Sequence, residues 1–119
     1  MTFVPTALTF GPTPAAAPAP ALPAELIALQ RAVLTADRAV GDHAVAVRNR
    51  RLTAFPGPEQ AVQRCTWEPG EQLEFDRRWE AYVRAGAAVR DHPVLVRARV
   101  LGVEAAVLRA IREAATGPA

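Results

Sequence analysis

The chain contains no lysine and no serine, and its single cysteine is Cys65. Each absence closes a class of chemistry. A phosphate-cradling P-loop needs its lysine, a Schiff-base enzyme needs an amine nucleophile, and a serine hydrolase needs its hydroxyl. One cysteine excludes an internal disulfide and fits a reducing compartment. Aromatic residues are also few, with four Phe, two Trp and one Tyr among 119 residues. Half the residues are apolar, but alanine and valine dominate, so the core must be thin in side-chain volume. No apolar run approaches the ~20 residues that a membrane-spanning helix needs. The N-terminus has no charged region ahead of an apolar one, and prolines interrupt its apolar residues, which makes it a poor secretory signal. The expectation is a protein of the bacterial cytoplasm that uses no membrane and no cofactor.

All 14 basic residues are arginine. With the excess of Ala, Pro, Gly and Val, this matches the codon bias of a high-GC genome, so the missing lysines reflect composition. The formal charge is only +2, whereas nucleic-acid-binding proteins usually carry a basic stripe. One local cluster, RNRR at Arg48 to Arg51, sits where arginines suit the negative end of a helix dipole. A nucleic-acid-binding role is the alternative that this cluster keeps open, and Arg48, Arg50, Arg51, Arg97 and Arg99 would make the contacts.

Residues 1–23 hold six of the eleven prolines and no charged side chain. That composition favours a disordered, extended leader, dispensable for folding, in which Phe3, Val4, Leu8 and Phe10 are the residues a docking motif would use. Residues 24–115 form a single helical domain small enough for its stability to be marginal. In its first segment Leu26, Leu29, Val33, Ala36, Val40, His43 and Val47 alternate steps of three and four, the spacing of a coiled-coil seam, and Ile27 and Leu34 widen it. Gly41 weakens the middle of that run by about 1 kcal/mol. The prolines and glycines between residues 53 and 70 read as a connector. Pro69 then opens a second helix with Thr66 or Glu68 near its cap, and Phe75, Trp79, Tyr82, Val83, Gly86 and Val89 share one face of it. Pro93 breaks the chain, and the pattern from Val94 to Ile111 is helical again. VLVRARVLGV also satisfies a strand's period of two, but its joint length with EAAVLRAIREAA favours one helix.

The stretches RAVGDHAVAVRNRRL (38–52) and AAVRDHPVLVRARVL (87–101) match at nine positions, including both Asp-His pairs and the only two histidines in the chain. Neighbouring residues on a helix point about 100° apart, so an Asp-His dipeptide does not present both side chains to one metal ion. A structural reading uses more of the residues: Asp91 or His92 caps a helix that Pro93 opens, while at the first copy either Gly41 closes one segment and Asp42 caps another, or the helix merely bends there. The repeat is then one helix-junction device used twice, with the aspartates as its working part.

The expected fold is all-α, a three-helix bundle or elongated helical hairpin with helices at about 24–53, 69–90 and 93–115. The expected function is a non-enzymatic interaction or assembly protein that self-associates or binds another protein; beside the nucleic-acid reading, an enzyme without a readable motif is the other alternative. Phe75, Trp79 and Tyr82 on one helix, and Val33 and Val40 on another, are the candidate partner-binding residues.

Overall fold

The computed structural model describes residues 22–117. The leader expected to be disordered lies outside the described residues, except for Leu22 and Pro23. The described chain is all-α: α1 (Ala24–Ala54), a 3-10 turn (Pro58–Gln60), α2 (Ala61–Cys65), α3 (Pro69–Arg90), α4 (Pro93–Val100) and α5 (Glu104–Thr116).

Helix α1 runs unbroken for 31 residues through Gly41, so the junction expected at Asp42 does not form. The cause is one residue. Ala44 follows His43 and supplies the amide that Pro93 lacks after His92, so the helical ladder continues. Only the second Asp-His copy is a junction, and there the capping group is the imidazole of His92, whose Nδ1 accepts a hydrogen bond from the Val94 amide at 3.1 Å. Asp91 is the C-cap residue of α3, and its carboxylate makes no hydrogen bond among the described residues.

The expected third helix is two helices. The chain turns at Leu101–Val103 around Gly102, whose φ of 75° lies in the left-handed region. The Val103 amide donates to the Ala98 carbonyl at 2.9 Å and the Gly102 amide to Arg99 at 3.2 Å. This is the paired bonding of a Schellman C-cap, which needs a residue free of Cβ strain at that point. The strand reading of VLVRARVLGV fails as well, since Pro93–Val100 is helical.

Helix α3 packs antiparallel along α1. Glu68 is its N-cap, and the Glu71 carboxylate reaches back to accept from the Glu68 amide at 2.8 Å, so the second of the two expected cap residues is the one used. Helix α5 lies on the N-terminal half of α1, while no Cα of α3 comes within 8 Å of one in α5. The main core sits at that end: Leu26, Val89, Leu95 and Ile111 are buried together, with Leu22, Leu29, Val33, Val94, Val107 and Leu108 packed on them. Long arginines bridge surfaces that alanine leaves shallow. Arg78 Nη1 donates to the Ala39 carbonyl at 2.7 Å, and Arg31 Nε to the Ala115 carbonyl at 3.4 Å. Among the described residues no helix is long and apolar enough to cross a membrane.

Candidate interaction surface

The seam expected on α1 is its packing face. Leu26, His43 and Val47 are buried, and Val33 and Val40 are half-buried, with Val33 seated on the main core. The side chains expected to meet a partner there are largely taken up by the chain's own helices.

The three aromatic candidates on α3 form part of a longer row. Phe75 stacks near-parallel to Trp79 at 6.3 Å between centroids, and Trp79 meets Tyr82 at 5.3 Å. Trp67 from the connector meets Phe75 in a T-shaped contact at 5.4 Å between centroids, and His43 of α1 meets Trp67 likewise at 5.7 Å. Phe75 and Tyr82 are half-buried, whereas Trp79 is 49 % exposed. The row therefore binds connector, α1 and α3 together while leaving one large indole at the surface. Trp67 carried no periodic signal in the sequence, because it lies in a Pro/Gly-interrupted connector.

Glu71 anchors the other end of the hairpin. Its carbonyl accepts a hydrogen bond from His43 Nε2 at 2.8 Å. Its carboxylate receives Arg51 at 3.1 Å and Arg50 at 3.3 Å. The Glu68 amide, followed by the Arg50 and Arg51 guanidiniums, holds the Glu71 carboxyl below the usual carboxylate range against an opposing push from burial. Glu74 is lowered in the same way, first by its hydrogen bond from Arg78 and then by the nearby charge of Arg77.

This anchoring bears on the arginine candidates. Arg51 is held by Glu71 and lies over the Phe55 ring at 5.7 Å. Arg99 pairs with Glu104 and donates to the Arg90 carbonyl. Arg50 shares Glu71, and Arg48 and Arg97 are exposed. The five are thus divided between two ends of the molecule, and three of them, Arg50, Arg51 and Arg99, are paired with internal partners.

The histidines are also far apart. His43 joins α1 to the first turn of α3, whereas His92 Nε2 lies 3.3 Å from the Glu25 carboxylate in the first turn of α1. Glu25 and His43 are eighteen residues apart on one helix, about 27 Å at 1.5 Å per residue. Among the described residues no three His, Cys, Asp or Glu side chains are grouped as metal ligands.

Among the described residues seven hydrophobic residues are buried, while ten large ones are exposed, including Val45, Leu52, Trp79, Val83, Val96, Val100 and Leu101. Where α3 and α5 diverge, an open cleft of about 470 Å³ exposes the flank of α1, with Val33, Leu34, Tyr82, Val83 and Leu108 among its walls and Asp37 and Arg112 at its rim. Gln30 lines the same cleft. Gly86 also lines it, with only the Arg90 guanidinium near its missing side chain. Compared with protein-family models, curated proteins and solved structures, the chain finds no match.

Proposed function

We propose that the chain is a non-enzymatic helical assembly protein whose working state is self-associated. The observation that supports this reading is the ratio of exposed to buried apolar side chains. With ten large hydrophobic side chains exposed and seven hydrophobic residues buried among the described residues, the domain has apolar surface left to bury against another chain. Each large side chain removed from water contributes about 1.5–3 kcal/mol when fully buried. Among the exposed ones Val83 lines the cleft together with Leu34 and Tyr82, and apolar patches of this kind mark interaction sites. A bacterial cytoplasmic setting suits a chain with one exposed thiol, Cys65.

Sedimentation equilibrium over a range of micromolar concentrations tests the proposal. A mass that rises from 12.7 kDa toward twice that value supports it, and a mass that stays at 12.7 kDa throughout overturns it. Repeating the run at high salt separates it from the nucleic-acid reading. Binding of a nucleic-acid probe would weaken steeply with salt, whereas association through apolar faces would not.

A further inference from the structure

Helix α1 carries a second stripe beside the seam that packs on α3. Leu34, Asp37, Gly41, Val45, Arg48 and Leu52 follow one another in steps of three and four, and at 100° per residue they fall within one narrow arc of the helix. Val45 is 51 % exposed and Leu52 45 %. Asp37, Gly41 and Arg48 are exposed too, and Leu34 opens into the cleft between α3 and α5. Among the described residues Asp37 and Arg48 enter none of the ion pairs, which engage other partners.

Gly41 lies at the middle of this stripe and has no role within the monomer. A glycine weakens a helix interior, yet the backbone there is ordinary helix and, its chain neighbours and the helix's own backbone aside, no heavy atom lies within 4 Å of where its Cβ would stand. Its lack of a side chain leaves room for something outside the chain.

The order of residues along the stripe says what that is. Leu34 and Leu52, Asp37 and Arg48, and Gly41 and Val45 are each placed symmetrically about the same point, near residue 43. A two-fold axis through that point, perpendicular to the helix, sets leucine against leucine, acid against base, and the smallest residue against valine. Self-complementarity about one axis is the condition for an isologous interface, and it is met by a second copy of the same surface.

Building on the self-association proposed above, we propose that the Leu34–Leu52 face of α1 is a two-fold interface between two copies of this chain, with the α1 helices antiparallel and crossing at Gly41 and Val45. The Leu52 end of one α1 enters the other copy's cleft beside Leu34, against the Tyr82, Val83 and Leu108 walls. Asp37 of each copy pairs with Arg48 of the other, so the pair occurs twice. The stripe spans about 27 Å of helix, and the cleft at its Leu34 end, with Tyr82 and Val83 of α3 among its walls, extends the face.

Charge reversal tests this geometry. In sedimentation equilibrium at low salt, Asp37→Arg and Arg48→Asp should each weaken dimerisation by about tenfold, because each sets like charges opposite one another twice. The double variant Asp37→Arg/Arg48→Asp should return to within about threefold of the wild type. Val45→Glu, at an exposed position, should dissociate the dimer while keeping the helical circular dichroism, and Val96→Glu on α4 should leave the mass unchanged. If the chain associates but the double variant is no tighter than the single ones, or if Val96→Glu dissociates it and Val45→Glu does not, this interface is wrong and self-association stands. A wild type that stays monomeric overturns both.

Discussion

His43 and Glu71 are joined by a 2.8 Å hydrogen bond from imidazole Nε2–H to main-chain carbonyl, which ties the middle of α1 to the first turn of α3. The carbonyl accepts, so Nε2 carries the proton. The ring is buried and meets Trp67 in a T-shaped contact, so one side chain fixes both the register of the hairpin and the connector packed on it. His43→Ala removes the donor and the aromatic contact together. The expected loss is about 2 kcal/mol, the usual range for removing one partner of a buried hydrogen bond. Urea unfolding should show a lower midpoint with little change in slope. His43→Ala unfolding at the wild-type midpoint would mean that the hairpin is held elsewhere.

The acid limb of stability should belong to Glu71 and Glu74. Both carboxyls are depressed from their ordinary value of 4.5, Glu71 chiefly by the Glu68 amide and Glu74 chiefly by Arg78. A carboxyl that is more acidic in the folded chain stabilises it above the unfolded value, and the contribution disappears as pH falls through the folded value. Stability measured by denaturant should therefore be level at pH 6 and fall below about pH 4.5. Glu71→Gln/Glu74→Gln should flatten that fall and lower the plateau. An unchanged acid limb in the double variant would place its origin in other carboxylates.

The helices were legible because their signals are local. Pro69 and Pro93 open helices where a missing amide costs nothing, and the apolar seam of α1 repeats often enough to exclude a strand. The two Asp-His copies misled because identical letters met different successors, Ala44 and Pro93, and the successor decides whether the ladder continues. The break at Gly102 was hidden by the valines around it, which satisfied both periodicities and made one long helix attractive. For the interaction surface, the α3 aromatics were found from spacing, while Trp67 could not be. On α1 the seam carrying Val33 and Val40 is the chain's own packing face. The exposed stripe through Leu34, Val45 and Leu52 is shorter and interrupted by charge, and only the position of α3 separates one face from the other.

At the α3–α4 junction the imidazole should matter and the aspartate should not. His92 caps α4 through Nδ1 and touches Glu25 through Nε2, whereas Asp91 is exposed with no side-chain bond among the described residues. His92→Ala should cost about 1 kcal/mol, the usual loss for an N-cap. His92→Asn should keep most of that, because asparagine caps as well, and Asp91→Ala should be nearly silent. Thermal melts of the three variants check the order. Asp91→Ala as the most damaging change would restore the aspartate as the cap.

The two helix-related glycines should respond to alanine in opposite directions, because they stand in different backbones. Gly102 has φ 75°, where a Cβ is strained whatever space surrounds it, so Gly102→Ala should destabilise by about 1 kcal/mol. The neighbouring cap bonds from Val103 and Gly102 depend on the same conformation, so α4 and α5 should lose their relative placement first. Gly41 has helical geometry and open space around it. At concentrations low enough to keep the chain monomeric, Gly41→Ala should raise stability by up to about 1 kcal/mol, the difference in helix propensity. Denaturant unfolding at low and high protein concentration separates the terms. A gain for Gly41→Ala when dilute that shrinks when concentrated identifies the glycine as a concession to close packing between chains. A loss when dilute would show that the monomer itself needs glycine at position 41.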